Sequence, residues 1–249
     1  MTSERSTPDA GAPRATFVTT RWTQVVASRG DSPDAKQALS DLCATYYAPV
    51  MAFLCCEGRA EDAARELAHA FFERLLERPS LDGADPQRGR FRSYMLGALK
   101  HFLANRRVHE LREKRGAGAQ HEPLPRETDT SPGSPIPDPR SPSPDAVFDR
   151  EWAVHVLERA LNVMQREAVE AGTRREFETL KRWLTGVGAE RPQAGAAREL
   201  GMNEGAVRVA ILRLRRRFRE VVKAEIAQTV NQPADVADEL RHLIEALSL

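Results

Sequence analysis

Residues 193–228 of the chain read QAGAARELGMNEGAVRVAILRLRRRFREVVKAEIAQ and hold its most informative local pattern. The spacing of apolar residues predicts a short helix over 193–200 and a longer one from Glu204 to about Gln228. Gly201 supplies the turn between them, and Asn203 is placed to cap the second helix. Two short helices joined by such a turn, the second rich in arginine, are the sequence form of a helix-turn-helix.

The second helix of this pair is predicted to carry its charge on one side. Between residues 208 and 223 there are seven basic residues against one acidic residue, Glu220. Four apolar residues recur at helical spacing through the same stretch: Val207, Ile211, Leu214 and Phe218. The apolar side can therefore dock on its own domain while the arginines face outward, at the density that phosphate binding needs. A solvated basic helix that binds nothing is the alternative interpretation.

The charge of the chain is segregated along its length. Its 249 residues include 37 Lys and Arg against 36 Asp and Glu, so the formal net charge is only +1. A second basic region, 88–115, nevertheless holds nine basic residues against two acidic ones, with Phe91, Tyr94 and Phe102 among them. Such rings can stack on unpaired bases, and burial in a core is the alternative for all three. The near-neutral total therefore does not argue against a nucleic-acid partner.

Residues 116–146 predict a flexible linker. They contain eight of the sixteen prolines and almost no large apolar residues. Helical spacing on both sides predicts an all-α protein of two small helical domains, at 16–115 and 147–228. The first fifteen residues are predicted to be disordered, and residues 229–249 are predicted to form an acidic tail with a short amphipathic helix.

Helix boundaries follow from capping residues and apolar stripes. In the first domain, helices are predicted from Ser32-Pro33, over about 60–77 and over about 91–114. In the second domain, Ser143-Pro144 marks a helix start, and Thr173 with Glu176 forms a candidate capping box.

No pattern in the sequence indicates an enzyme, a metal site or a cofactor. The six histidines are scattered, and no metalloprotease, nucleophile-elbow or Walker-type motif occurs. The cysteines, Cys43, Cys55 and Cys56, are predicted to be buried reduced thiols. No run approaches the roughly eighteen apolar residues of a membrane span, and residues 1–13 lack a signal-peptide core. We therefore expect a cytoplasmic chain with no membrane partner.

Three stretches taken together resemble a known family. They are AARELAHAFFERLLE (63–77), GRFRSYMLGALKHFLANRR (89–107) and AARELGMNEGAVRVAILRLRRRFREVVKAEIAQTV (196–230). In this order the chain resembles extracytoplasmic-function sigma factors, and most of all the large-linker subgroup found in planctomycetes and myxobacteria. The resemblance runs from about residue 16 to the RHLIEAL ending at 241–247.

The resemblance implies two partners, core RNA polymerase and promoter DNA, and no small cofactor. It assigns core-polymerase binding to Glu66, Leu67, His69 and Phe72. It assigns the opened minus-ten promoter element to Arg90, Arg92, Tyr94, Lys100, His101, Asn105, Arg106 and Arg107. It assigns the minus-thirty-five element to the helix-turn-helix residues Asn203, Glu204, Gly205, Arg208, Arg213, Arg216 and Arg217.

Other hypotheses stay open. Ala63 and His69 stand where family members commonly carry Asp and Gln, so a sigma-like DNA-binding regulator or adaptor with weakened polymerase binding is one alternative. An ordinary helix-turn-helix repressor is another alternative, but this hypothesis does not explain the basic and aromatic stretch 91–107. The acidic tail either completes the core of the second domain or covers a basic DNA-binding surface in the free protein. An anti-sigma factor is a further candidate partner.

Overall fold

The computed structural model describes residues 32–77, 90–116, 142–184, 193–230, 232 and 234–248 of the chain. Eight α-helices lie in these residues: α1 Pro33–Cys56, α2 Glu61–Glu77, α3 Phe91–Gly116, α4 Pro144–Glu170, α5 Arg174–Leu180, α6 Gln193–Leu200, α7 Glu204–Ala227 and α8 Asp235–Leu247. A short 3-10 helix, Lys181–Trp183, follows α5, and one isolated β-bridge joins Arg90 to Val230. The all-α prediction is confirmed for the described residues. The disordered N-terminus and nearly all of the predicted linker lie outside them.

Local sequence explains where the helices begin. Pro33 and Pro144 each occupy the first turn of a helix, where the missing N–H is not needed. The Ser143 hydroxyl oxygen accepts a hydrogen bond from Ala146 N at 3.2 Å, so the predicted start of α4 is confirmed. The candidate capping box at Thr173 is wrong, because no side-chain cap forms there and the Thr173 hydroxyl donates to Ala168 O instead.

One hydrophobic core joins the N-terminal helices (α1–α3) to the C-terminal helices (α4–α8). Helix α4 packs along α1 and also contacts α7 and α8. Tyr46 of α1 is fully buried between Phe91 of α3, at a ring distance of 5.0 Å, and Phe148 of α4, at 6.1 Å. Trp152 of α4 is fully buried in the same cluster. The helices on the two sides of the predicted linker therefore pack against each other in this structure.

Helix α1 is the most apolar of the described helices. Its segment Lys36–Cys56 is long and apolar enough to cross a membrane, judged by length and composition alone. A helix in the core of a globular fold passes the same test. Leu39, Val50 and Leu54 of this segment are buried against the rest of the chain.

The cysteines divide into two classes. Cys43 is buried, as predicted, but Cys55 and Cys56 are exposed at the end of α1, so the prediction of buried thiols is wrong for this pair. Burial raises the pKa of the Cys43 thiol to about 12. The adjacent pair ends up exposed because α1 stops at Cys56, and Gly58, at φ 84°, then turns the chain away.

Replacing Trp152 with alanine should lower the free energy of unfolding by about 3–5 kcal/mol, since the substitution leaves a large cavity in the shared core. Urea unfolding followed by circular dichroism measures this change. Leu212→Ala is the matched control: Leu212 is 59% exposed on α7, and its loss should cost less than about 0.5 kcal/mol. Equal destabilisation by both substitutions would contradict the shared core.

Iodoacetamide at pH 8 should alkylate Cys55 and Cys56 of the folded chain quickly, and Cys43 only after denaturation. The thiolate is the reacting form, and burial both shields the Cys43 sulfur and keeps it protonated. All three cysteines lie in the tryptic peptide 37–59, so fragmentation of this peptide by tandem mass spectrometry reads each site separately. Labelling of all three cysteines at one rate in the native protein would rule out the buried position of Cys43.

Candidate nucleic-acid interface

The helix-turn-helix forms as the sequence predicts. Helix α6 ends at Leu200 and is followed by Gly201, whose φ of 66° suits glycine; Met202 N donates to Ala197 O at 2.9 Å across the turn. The Asn203 side-chain oxygen accepts a hydrogen bond from Ala206 N at 2.7 Å and caps α7. The turn and the cap together fix the angle at which α7 leaves the motif.

A second, smaller hydrophobic cluster holds α7 in place. It joins α5, the 3-10 helix, α6 and the first half of α7, and its buried members are Leu180, Trp183, Ala196, Ala197, Val207 and Ile211. The predicted apolar stripe of α7 faces inward: Val207 and Ile211 are buried, and Leu214 and Phe218 are half-buried. The opposite side of the helix is left to the charged residues.

The basic side of α7 divides into unpaired and paired arginines. All seven predicted promoter residues of the motif are exposed, and within the described residues neither Arg208 nor Arg213 has a hydrogen-bond or ion-pair partner. Farther along, Arg216 pairs with Glu220 of its own helix, and Arg217 makes two hydrogen bonds to Glu167 of α4. The hydrogen bond from Arg217 lowers the pKa of Glu167. The first half of α7 therefore presents two cations, Arg208 and Arg213, that have no partner in the described part of the chain.

Arg215 has an internal role that the sequence did not indicate. Its Nε donates to the carbonyl oxygen of Trp183 at 3.1 Å and ties α7 to the 3-10 helix. In a run of three arginines, nothing in the sequence shows which one turns inward, because that depends on how α5 packs.

The predicted polymerase-binding residues lie on different sides of α2. Glu66 and His69 are exposed, Phe72 is half-buried, and Leu67 is buried in the shared core. Leu67 is therefore not available to a partner in this structure. Helical spacing predicts this, since Leu67 belongs to the apolar stripe of α2 together with Ala64 and Phe71.

An aromatic cluster at the surface surrounds His69. Tyr47 of α1 places its hydroxyl oxygen 3.1 Å from His69 Nε2, and its ring stacks on that of Phe72 at 5.9 Å. Sequence reasoning missed Tyr47, because its contact with α2 depends on the way the two helices cross. Helix α2 and Tyr47 of α1 thus present a carboxylate, an imidazole and part of two aromatic rings on one surface.

Helix α3 carries the second set of basic residues. Five of the predicted minus-ten residues are exposed along it: Lys100, His101, Asn105, Arg106 and Arg107. His101 and Asn105 contact each other across one helical turn at 3.2 Å. The Arg106 side chain pairs with Glu110 of α3, and that of Arg107 pairs with Glu57 in the turn after α1. These residues form a polar strip on the outside of α3.

The aromatic residues of α3 are part of the core to different degrees. Phe91 is fully buried, so the core alternative holds for it. Phe102 and Tyr94 are half-buried, Phe102 with its ring 5.6 Å from that of Phe71. Burial raises the pKa of the Tyr94 hydroxyl to about 12. Tyr94 and Phe102 thus retain some exposed ring surface, and Phe91 retains none.

Arg92, at the start of α3, is enclosed by carboxylates. Its Nε donates to Glu239 of α8 at 2.8 Å and its Nη1 donates to Asp149 of α4 at 2.7 Å. Its guanidinium also lies over the Trp152 ring, 5.3 Å from the centroid. Burial alone would lower the pKa of Arg92, but its hydrogen bonds to the two carboxylates raise it. In this conformation Arg92 binds other residues of the protein interior and is not accessible to a ligand.

Arg90 lies beside this group and is half-buried. Its Nη1 is 3.3 Å from Glu239 and its Nη2 is 3.6 Å from Asp238. The adjoining backbone is tied to the end of α7, because Phe91 N donates to Thr229 O at 2.9 Å. Two predicted minus-ten residues are therefore engaged by the C-terminal helices. In the described part of the chain, no group of three or more His, Cys, Asp or Glu residues is placed to bind a metal ion.

Asn203→Ala should lower the free energy of unfolding by about 1 kcal/mol, because it removes the acceptor that caps α7. Asn203→Ser keeps a capping oxygen and is the control, with an expected change of a few tenths of a kcal/mol. Denaturant unfolding of the full chain measures both. An alanine variant as stable as the parent would mean that the cap does not form in solution.

Comparison with known proteins finds no relative of the chain. No protein-family model, no curated protein and no solved structure matches it. The resemblance to extracytoplasmic-function sigma factors therefore rests on the three stretches 63–77, 89–107 and 196–230. What that resemblance implies for function is accordingly a proposal.

Proposed function

We propose that the protein is an extracytoplasmic-function-type sigma factor, which binds core RNA polymerase and directs transcription initiation at specific promoters. The observation that carries the proposal is the helix-turn-helix whose second helix presents Arg208 and Arg213 with no partner among the residues that the structure describes. A helix of this kind can enter the major groove of duplex DNA, with arginines at its N-terminal half reaching base edges or phosphates.

The exposed strip of α3 supports a second contact with DNA. Lys100, Arg106 and Arg107 supply positive charge, and the half-buried rings of Tyr94 and Phe102 lie on the same helix. Charge combined with partly exposed aromatic surface is the pattern by which proteins hold unpaired strands. A chain with one surface suited to duplex DNA and another suited to opened DNA fits promoter recognition better than it fits a repressor.

The exposed face of α2 is the candidate site for polymerase. Glu66 and His69 project from it, and Phe72 and Tyr47 form the adjoining aromatic surface. Partly exposed aromatic side chains rimmed by polar ones are typical of protein interfaces. Leu67 then acts indirectly, by anchoring α2 to the core.

A sigma-like regulator with weakened polymerase binding is the second candidate. The observation that favours it is that Ala63 and His69 are both exposed on α2, where the family commonly has Asp and Gln. The double substitution Ala63→Asp with His69→Gln separates the two candidates. A large gain in affinity for core polymerase would favour the regulator, and an unchanged affinity would favour a working interface of different composition.

The direct test is transcription in vitro with purified core RNA polymerase on genomic fragments. We expect the protein to comigrate with core polymerase in gel filtration and to stimulate specific start sites. Glu66→Arg should weaken comigration about tenfold, because it reverses a charge at the proposed interface. Glu73→Arg, an exposed charge reversal farther along α2, is the control. If the protein neither comigrates with polymerase nor stimulates any start site, the proposal is wrong.

Arg208→Ala should weaken binding to duplex promoter DNA by about 1–3 kcal/mol if the side chain reads a base edge. Arg166→Ala, an exposed arginine on α4 outside both basic surfaces, is the control and should leave the affinity unchanged. Fluorescence anisotropy with a labelled duplex measures both variants. Equal affinity of the parent and the Arg208 variant would remove Arg208 from the interface.

A further inference from the structure

Carboxylates of the C-terminal helices occupy several of the cations that α3 would offer to opened DNA. Four acidic residues do this, and we name them the acidic cover: Asp145 and Asp149 of α4, and Asp238 and Glu239 of α8. Their partners are three of the residues assigned to the minus-ten element: Arg90, Arg92 and Lys100. Each of these cations precedes the predicted linker, Asp149, Asp238 and Glu239 follow it, and Asp145 lies at its C-terminal end.

The strongest part of the cover is buried. Glu239 is 1% exposed and accepts a hydrogen bond from Arg92, while its second carboxylate oxygen lies 3.3 Å from Arg90. Asp149 binds the other side of Arg92 and is itself 3.0 Å from His242 Nε2 of α8. The Arg92 guanidinium is buried, with the residue 7% exposed, and two carboxylates neutralise its charge, so a phosphate cannot approach its remaining N–H donors. Arg92 therefore cannot bind DNA until α8 leaves.

The outer part of the cover is exposed. Lys100 Nζ lies 2.5 Å from Asp145 Oδ2, and both side chains are about half exposed, at 50% and 46%. An exposed pair of this kind is weak and forms or breaks without unfolding the helices around it. Arg106 and Arg107 differ, because their partners Glu110 and Glu57 belong to the N-terminal helices themselves. The cover therefore acts on the first half of α3.

The first part of the duplex-binding surface is left open. Arg208 and Arg213 of α7 have no acidic partner within the described residues, whereas Arg90, Arg92 and Lys100 each have at least one. Farther along α7, Arg217 is paired with Glu167 of α4. The carboxylates of the C-terminal helices therefore leave open the part of α7 that follows the turn of the helix-turn-helix.

Helix α8 depends on its docking contacts. It has 13 residues, and Glu239, Leu243 and Ala246 are its buried side chains. Val236 and Leu240 are half-buried against the core, while Ile244 is 58% exposed. A helix of this length is only marginally stable by itself. Undocking of α8 would release Arg90 from Asp238 and Glu239, and would leave Asp149 as the remaining carboxylate partner of Arg92.

We propose that the acidic cover is an autoinhibitory contact, which occupies phosphate-binding positions of α3 in the free protein and leaves Arg208 and Arg213 of α7 free to bind duplex DNA. The free protein then binds duplex promoter DNA but binds unpaired strands poorly until α8 undocks. This inference rests on the proposed function, because it takes α3 as the surface for opened DNA. It concerns how access to that surface is controlled.

The test measures affinity of the full-length chain for a labelled twelve-nucleotide single strand by fluorescence anisotropy, at about 50 mM salt, where phosphate contacts contribute strongly. Asp145→Asn should tighten binding about threefold, and Asp145→Asn with Glu239→Gln about tenfold, since each substitution removes a competing carboxylate charge. Glu245→Gln is the matched control: it lies on α8, is 66% exposed, and is not part of the cover. Its affinity should equal that of the parent.

Two further measurements make the result specific. Adding Lys100→Ala to the double variant should abolish most of the gain, and affinity for the labelled duplex should be the same in all variants. Circular dichroism checks that each variant is folded. Should Glu239→Gln prevent folding, Asp145→Asn alone decides the matter, because Asp145 pairs at the surface and is not part of the core.

The outcomes separate this inference from the proposed function. Tighter single-strand binding by the cover variants, dependent on Lys100 and absent in Glu245→Gln, supports the autoinhibitory contact. Equal single-strand affinity of the parent and the cover variants, with binding that Arg106→Ala weakens, overturns the cover and leaves α3 as the surface for opened DNA. Failure of every folded variant to bind the single strand overturns that role of α3, and the autoinhibitory contact with it.

Discussion

The side chain of Arg92 lies between two carboxylates that come from distant parts of the chain, Asp149 and Glu239. Taking such charges out of water is costly, and the cost is offset only when every partner is in place with good geometry. The three groups therefore hold α3, α4 and α8 in one arrangement. That arrangement places Trp152 under the guanidinium and Tyr46 beside Phe148, so the buried ion group lies against the shared core.

The same interaction links stability to function. In the proposed function, the start of α3 has to meet opened DNA, yet it is the part of α3 that is most deeply engaged by the C-terminal helices. The helix-turn-helix is less constrained, because the first half of α7 packs on a separate cluster around Trp183 and Val207, and only the second half of α7 enters the shared core. One proposed DNA surface is thus built into the closed packing of the chain, and the start of the other lies outside it.

Much of the fold could be predicted from the sequence, because helix ends are local. Ser143 and Asn203 cap the helices that they were predicted to start, and the stripe of Val207 and Ile211 faces inward as its spacing requires. Contacts between distant residues could not be predicted. Arg92 and Glu239 are 147 residues apart, and charge counts show only that opposite charges exist in the two regions. The exposure of single residues could not be predicted for the same reason. Arg92 is buried and Cys55 is exposed, and the sequence predicts the opposite for each.

Hydrogen–deuterium exchange tests most directly whether the closed packing has to open for α3 to meet DNA. The measurement compares amide exchange of α8 in the free chain with exchange after binding to core polymerase and a DNA duplex that contains an unpaired bubble. The account predicts slow exchange of α8 in the free chain and fast exchange in the complex, since α8 loses its docking contacts. Slow exchange of α8 in both states, with DNA bound along α3, would contradict it.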